Sequence, residues 1–364
     1  AQKTFQKIPE KEVTLYIYFG QTLLPEHRAL GRQLYNLFQA PLLKTTFIFN
    51  KKWLVQQVAP ITLGSIPEVD LEHVQTFAQT YFSRKRFPNT RIQQYVYDLA
   101  VLVGKDEVSA PSCPLALRKF AEAAEKQRVY CEFITRDDFH RLSEFDILFI
   151  RETTAVNHHT YRFARKAYAE GLVVIDDPWS IMRCTNKVYL AERLAQARVP
   201  TPRTLVLQKE SLKVGAAPMD LHFPCVLKQP DSAFSLGVVR AENEIDFRFK
   251  LQQLFEKSDL VIAQEFMATD YDWRIGILDG RPLFACKYYM ARGHWQVCNW
   301  AAHPHSREGA SEAIRIEHVP ELVLDTALKA ANLIGDGLYG VDLKELDGKV
   351  YVIEVNDNPS IDAG

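Results

Sequence analysis

The chain has 364 residues, 47% hydrophobic and 24% charged, with a formal net charge of −1. That composition suits a soluble globular protein of two or three domains, and gives no basic surplus of the kind that nucleic-acid binding uses. No apolar run approaches the ~20 residues of a membrane span, and no signal peptide is visible, so neither nucleic acid nor membrane is expected as a partner. The six cysteines are scattered without a Cys-x-x-Cys pair, which fits reduced core thiols in a cytoplasmic protein. The chain opens on Ala1 and stops at Gly364, and completeness at either end stays open.

Residues 13–19 form an apolar, β-rich run, followed by Leu30, Leu34, Leu37 and Phe38 at helical spacing. Two strands are expected at 44–49 and 53–63 around Asn50-Lys51-Lys52, then an amphipathic helix over 70–83 with Asp70 as its cap. Pro88-Asn89 marks a boundary, which gives a small α+β unit over residues 1–90.

A different rhythm begins at Tyr97. Apolar strands at 97–103, 129–134, 145–150 and 172–175 alternate with helices at 114–127, near 137–142 and at 157–169. Such alternation predicts a parallel sheet covered on both faces, with ligands beyond the carboxyl ends of its strands. Arg151-Glu152 follows the third strand at such an end; an ordinary solvated pair is the alternative. His158-His159 and His303-Pro304-His305 invite a metal reading, but neither pair has a second His or a Cys at ligand spacing. Surface or core histidines are the better reading. This parallel α/β domain is assigned to residues 91–180.

The remainder, 181–364, carries most of the chemistry. Asn186-Lys187 opens a helix, and a lysine in a first turn runs against the helix dipole, which suggests an anion partner. Lys228 ends a short apolar strand and is followed by small residues, Ser232, Ala233, Ser235 and Gly237, before the chain returns to strand. Small side chains let backbone N–H groups approach phosphate oxygens beside the lysine charge, although no Walker motif is present. Val261–Met267 reads as a strand entering a connector, Asp272-x-Arg274 opens another, and Lys287 ends the strand after it. A last helix is expected at 321–334.

Gly340–Pro359 reads as two strands joined at Asp347-Gly348, with Asp342 on the first and Glu354 and Asn356 on the second. Residues 354 and 356 share a strand face. Two carboxylates and an amide oxygen on adjacent strands form a hard oxygen set of the kind Mg²⁺ takes. Spacing alone leaves open a hairpin whose polar groups face solvent; Glu-x-Asn-x-x-Pro at the end of an apolar strand favours the metal site.

These motifs, in this order over about residues 98–364, resemble the ATP-grasp ligases, and most of all their RimK-type and glutathione-synthetase-like branch. Residues before about 90 resemble the amino-terminal extension of some RimK-like proteins. The resemblance implies an ATP-grasp fold and an ADP-forming carboxylate–amine ligase, with an acyl phosphate as intermediate. It implies ATP and Mg²⁺ as cofactors, with Mn²⁺ as an alternative metal. Asp342, Glu354 and Asn356 would hold the metal, Lys187, Lys228, Ser232, Ser235, Gly237 and Asn299 would lie about the phosphates, and Lys287 would belong to the same nucleotide site. Glu265 and Phe266 would meet the adenine, Asp272 the ribose, and Arg274 and Arg151 the reacting substrate. The substrate would be an amino acid or peptide, or a protein C-terminus, and homo-oligomerisation stays open. A hydroxyl-phosphorylating kinase on the same fold, and a nucleotide-binding module without catalysis, are the alternatives.

Overall fold

In a computed structural model of the chain, the residues described are 4–5, 9–38, 40–83, 95–105, 107, 110–210, 221–230, 237–299, 301–303 and 307–362. The chain divides into two compact units, residues 1–96 with 137–144, and residues 97–136 with 145–364.

The first unit has an antiparallel sheet of β1 (Glu12–Tyr18), β2 (Leu42–Asn50) and β3 (Lys52–Pro60), with β2 central. Helices α1 (Arg28–Phe38) and α2 (Leu71–Ser83) accompany it. Alternating residues Leu15 and Ile17 of β1 meet Leu30 and Leu34 of α1, together with Leu43, Phe47 and Trp53, in one apolar cluster. Period two in the strand and period 3.6 in the helix place these side chains on facing surfaces. Asp70 does not serve as the expected cap. Its carboxylate accepts a 2.6 Å hydrogen bond from the buried Tyr18 hydroxyl, and a 3₁₀ turn over Glu68–Asp70 leads into α2 instead.

The second unit opens with the expected parallel sheet, in the order β5-β4-β6-β7. Its strands are β4 (Tyr97–Val103), β5 (Val129–Ile134), β6 (Ile147–Arg151) and β7 (Val173–Ile175). Helices α3 (Pro114–Lys126) and α4 (His159–Ala169) supply the crossovers. The short helix expected near 137–142 is a 3₁₀ segment over Arg136–Glu144, of which 137–144 belong to the first unit. Two helices then run in series, α5 (Pro178–Thr185), whose first turn is capped by the Asp177 carboxylate, and α6 (Lys187–Gln196), capped by Asn186.

Two antiparallel sheets follow. The first has the order β10-β9-β11-β8, from β8 (Thr204–Gln208), β9 (Cys225–Lys228), β10 (Val238–Ala241) and β11 (Leu260–Glu265). Helix α7 (Glu244–Phe255) buries Phe247, Leu251, Leu254 and Phe255 in the cluster formed with Leu227, Val261 and Ala263. The second has the order β14-β13-β12-β15-β16, from β12 (Tyr271–Leu278), β13 (Arg281–Tyr289), β14 (Ser311–Ile314), β15 (Leu338–Leu346) and β16 (Lys349–Asn356). Its apolar face packs on helix α8 (Glu321–Asn332) through Val323, Ala327, Ala330 and Ala331. The Asp347-Gly348 turn has both residues at positive φ, +51° and +70°, the conformation a two-residue hairpin needs. Among the described residues no helix is long and apolar enough to cross a membrane. The elements β8, α7 and β14 lie outside the sequence expectations.

Candidate active site

Three neighbouring strands of the second antiparallel sheet put their charges in one row. Arg274 of β12 is opposite Asp342 of β15, and Asp342 is opposite Glu354 of β16. Odd-numbered neighbours such as Trp273, Val341 and Leu343 turn to the core on the other face. A bulge interrupts the β15–β16 ladder beyond the Asp342–Glu354 pair, because Leu343 pairs with Val352 and Ile353 is the extra residue. Bulges re-aim side chains, and here Ile353 and Glu354 both line one cavity.

That cavity, about 160 Å³, is lined from both antiparallel sheets and from the start of α6. Lys187, Lys228, Arg274 and Lys344 bring positive charge to it, and Asp272, Asp342, Glu354 and Glu265 negative charge. Its apolar wall includes Val226, Val238, Met267 and Phe266. Most of the charges are paired. Arg274 grips Asp342 through two hydrogen bonds, Nε to Oδ1 and Nη2 to Oδ2, the latter 2.9 Å. Lys187 Nζ lies 2.9 Å from Glu354 Oε1. Lys344 Nζ lies 2.5 Å from Asp272 Oδ1 and donates to Thr269 Oγ1 at 2.7 Å. Lys228 is different: its ammonium donates to a neutral acceptor, Gln264 Oε1, at 2.7 Å.

Burial and charge act against each other here. Burial pushes the Lys228 ammonium down to about 8, with Glu354 opposing that shift. Burial alone would raise the Glu354 carboxyl, but Lys187 and Lys228 hold it below the ordinary carboxylate range. At Asp342 burial prevails over Arg274, and the carboxyl lies above its ordinary value. Burial opposes the charge on Arg274, and Asp342 more than restores it. The close approach of Arg274 to β15 requires Gly340, since a Cβ there would lie 3.1 Å from Arg274 Cδ and 2.7 Å from Pro359 Cβ.

The sequence-derived residues fall into distinct groups. Lys187, Lys228, Glu265, Phe266, Asp272, Arg274, Asp342 and Glu354 all line the cavity. Asn356 stands beside it, with Nδ2 donating to Asp342 Oδ2 at 3.1 Å; its amide must turn before oxygen faces a metal. Gly237 closes the base of the Lys228 loop by accepting from the Gln229 N–H at 3.3 Å. Ser232 and Ser235, on that loop, lie outside the described residues.

Three others are not among the residues that line the cavity. Lys287 is opposite Trp273, so it stands on the sheet face away from Arg274, with its ammonium 4.2 Å from the centre of the Tyr271 ring. Its neighbour Tyr288 occupies the cavity face instead, beneath the Arg274 guanidinium at 5.3 Å. Asn299 Oδ1 accepts from the Ala301 N–H at 3.1 Å; Gln296 and Val297 of the same segment line the cavity. Arg151 is 1% exposed and hydrogen-bonded within the fold. It donates to Ser112 Oγ, Pro111 O, Pro359 O and Asn358 Oδ1. It therefore anchors the segment after β16 to the parallel sheet, and burial lowers its guanidinium to about 10.

Sequence reasoning missed Gln264, Lys344, Tyr288 and Trp295. Lys344 was legible, because Asp342-x-Lys344 repeats the alternation of Asp272-x-Arg274. Trp295 was not, since it reaches the cavity from an irregular segment. There it meets Phe266 edge-on at 5.8 Å, with the Arg240 guanidinium 4.9 Å from the Phe266 ring centre.

The RimK-like ATP-grasp N-terminal domain matches residues 1–92, and the RimK-like ATP-grasp domain matches residues 184–363. Among curated relatives, the tetrahydromethanopterin:alpha-L-glutamate ligase of Methanocaldococcus jannaschii is 28% identical over 229 residues, which is 60% of this chain and 73% of the relative. The alpha-aminoadipate–LysW ligase LysX of Saccharolobus solfataricus is 26% identical over 196 residues, covering 52% of this chain and 67% of the relative. The fold is similar to that of D-alanine–D-alanine ligase from Bacillus anthracis, with a TM-score of 0.55 at 18% identity, covering 73% of this chain and 88% of that enzyme. With matching domains at both ends and ATP-grasp folds as neighbours, the chain belongs to the RimK-like branch of the ATP-grasp carboxylate–amine ligases.

Proposed function

We propose that the chain joins the carboxylate of an amino acid or peptide to an amine, splitting ATP to ADP and phosphate. The carrying observation is the row Arg274–Asp342–Glu354–Lys187, in which two hard carboxylates are each held by a cation at the wall of one cavity. ATP brings phosphate oxygens that suit Lys187, Lys228 and Arg274. Once those cations turn to phosphate, Asp342 and Glu354, with the Asn356 amide reoriented, become hard ligands that fit Mg²⁺. The metal when bound would neutralise charge on the phosphates.

The reaction balances without a protein nucleophile. A carboxylate oxygen attacks the γ-phosphorus, the bridging P–O bond breaks, and ADP departs with the bridging oxygen. An amine then attacks the acyl carbon, loses a proton, and expels inorganic phosphate. Lys228 contributes positive charge, and Arg274, released from Asp342, is available to the developing negative charge. Phe266 and Trp295 supply an aromatic surface for the base, and Glu265 and Asp272 acceptors for polar edges of the nucleoside.

The names of the relatives, which specify glutamate and aminoadipate, support an amino-acid or peptide substrate. The change from a small antiparallel sheet to a parallel one and then to two antiparallel ones supports a division into 1–90, 91–180 and 181–364, the last holding the nucleotide. The test is incubation of the purified chain with Mg·ATP, hydroxylamine and a panel of amino acids and short peptides. One carboxylate should give ADP and a hydroxamate together. AMP, or a stable phosphate ester, would overturn the reading.

A further inference from the structure

The adjacent imidazoles His158 and His159 are far from any Cys or second His along the chain, yet the fold brings carboxylates to them. Glu152 leaves the carboxyl end of β6, and His159 opens α4, where its Nε2 is 2.9 Å from Glu152 Oε2. The two imidazole rings are 3.9 Å apart between centres. One nitrogen from each ring and one Glu152 oxygen all lie within 4.8 Å of one another. Among the described residues this is the only such set of three or more His, Cys, Asp or Glu side chains.

Two further observations bear on what this set is for. The first is Glu107, which follows β4, the parallel neighbour of β6. It packs beside Glu152, because a Cβ on Gly104 would meet Glu152 Cδ at 3.2 Å and Glu107 Cβ at 3.3 Å. Glu107 Oε1 accepts from the Thr153 N–H at 3.0 Å, but the buried Oε2 has no hydrogen-bond partner among the described residues. A buried carboxylate oxygen without a partner is costly, and a cation would satisfy it. The second is the support behind His158. Its Nδ1 meets the hydroxyl of the fully buried Thr160 at 3.1 Å, and that hydroxyl donates to Thr153 O at 3.3 Å. Metal-binding imidazoles are held through their second nitrogen in this way, which leaves Nε2 for the ion.

We propose that His158, His159 and Glu152 form a binding site for a divalent transition ion, with Zn²⁺ the best match and Glu107 as an additional oxygen donor. Two imidazole nitrogens and one or two carboxylate oxygens are a donor set for Zn²⁺, whereas the all-oxygen cluster at Asp342 and Glu354 suits Mg²⁺. The site lies outside the nucleotide cavity lining and is independent of the ligase reading.

The test uses metal-stripped full-length chain and Co²⁺ as an optical probe, competed by Zn²⁺. One equivalent of Co²⁺ should bind with the visible absorption of a low-coordinate nitrogen–oxygen site, and Zn²⁺ should bleach it. His159→Ala and Glu152→Gln should each weaken binding at least about 10-fold, and Thr160→Val should weaken it by about 10-fold through the ring it holds. Asp342→Ala should leave the signal intact. Thermal melts identify variants that fail to fold, and His158→Gln then provides a second ligand-removing change outside the Glu152 contact. Absence of a stoichiometric site, or equal Co²⁺ affinity in folded His158→Gln and His159→Ala, would overturn the proposal.

Discussion

Arg151 and Arg274 are both half of an expected pair of reactive arginines, and the fold treats them in opposite ways. Arg151 is enclosed and, among the described residues, donates to neutral acceptors, a serine hydroxyl, an amide oxygen and two backbone carbonyls. No anionic ligand can take it without undoing the contact between the parallel sheet and the segment after β16. Arg274 is 14% exposed at its side chain and is held by a single carboxylate on the wall of a cavity. Under the proposed function, a phosphate or acyl oxygen takes the place of that partner. The type of acceptor and the access to solvent, more than burial itself, separate a structural arginine from one that can act.

The largest expected effects fall on the exchangeable side. Asp342→Ala and Glu354→Ala should each lower ADP formation by roughly 10²–10³-fold, the usual cost of removing a group that stabilises transition-state charge. Retained turnover in a folded Asp342→Ala chain would place the metal elsewhere. Arg151→Met should show the reverse pattern. It strands Asn358 and Ser112 as buried acceptors, so stability should fall by about 3 kcal/mol in denaturant unfolding. In protein that remains folded at low temperature, nucleotide affinity should be nearly unchanged; a selective loss of that affinity would restore a ligand-binding role to Arg151.

Lys228 provides a pH-dependent form of the same contrast. Its folded value, about 8, lies below the ordinary 10.5, so the folded chain binds fewer protons than the unfolded chain between those values. The resulting penalty is complete below pH 8, and stability therefore rises with pH across about 8 to 10.5. Lys228→Met should remove that rise from the difference between the two melting profiles. It should also weaken ADP binding by about 10-fold, as expected for a charge-assisted contact. An unchanged profile would mean that Lys228 is not held in the dry environment described.

The smallest effect concerns Mg²⁺ alone. With Arg274 on Asp342 and Lys187 on Glu354, Mg²⁺ without nucleotide should barely shift the melting temperature. Mg²⁺ with ADP at a hundred times its dissociation constant should stabilise by about 2.7 kcal/mol. Arg274→Met should make the shift from Mg²⁺ alone measurable, because it frees Asp342. Strong stabilisation of the unaltered chain by Mg²⁺ alone would contradict partner exchange.

Much of this was legible because strands alternate and turns have strict chemistry. Asp347-Gly348 located the hairpin, and alternation paired Glu354 with Asn356 on one strand face; the register of β12, β15 and β16 then brings Arg274, Asp342 and Glu354 into one row. The orientation of Lys287 was not legible, since spacing within one strand does not fix its register with the next, and pairing with Trp273 turns it from the Arg274 face. The bulge at Ile353 was hidden for a related reason: an extra residue in a ladder exists only relative to its partner strand. Helix α7 escaped notice although Phe247, Leu251, Leu254 and Phe255 have helical spacing, because Ile245 and Phe249 are exposed and blur the apolar stripe. Arg151 could not be read from sequence at all. Its acceptors at 358 and 359 lie more than 200 positions away, and only the folded chain brings them together.

The central claim is that a substrate carboxylate attacks the γ-phosphorus to give an acyl phosphate. It is tested most directly by running the reaction with the active substrate labelled with ¹⁸O in its carboxylate and measuring the inorganic phosphate by mass spectrometry. The account predicts one ¹⁸O transferred to phosphate for each amide formed, with ADP as the co-product. Amide formation with unlabelled phosphate would contradict it.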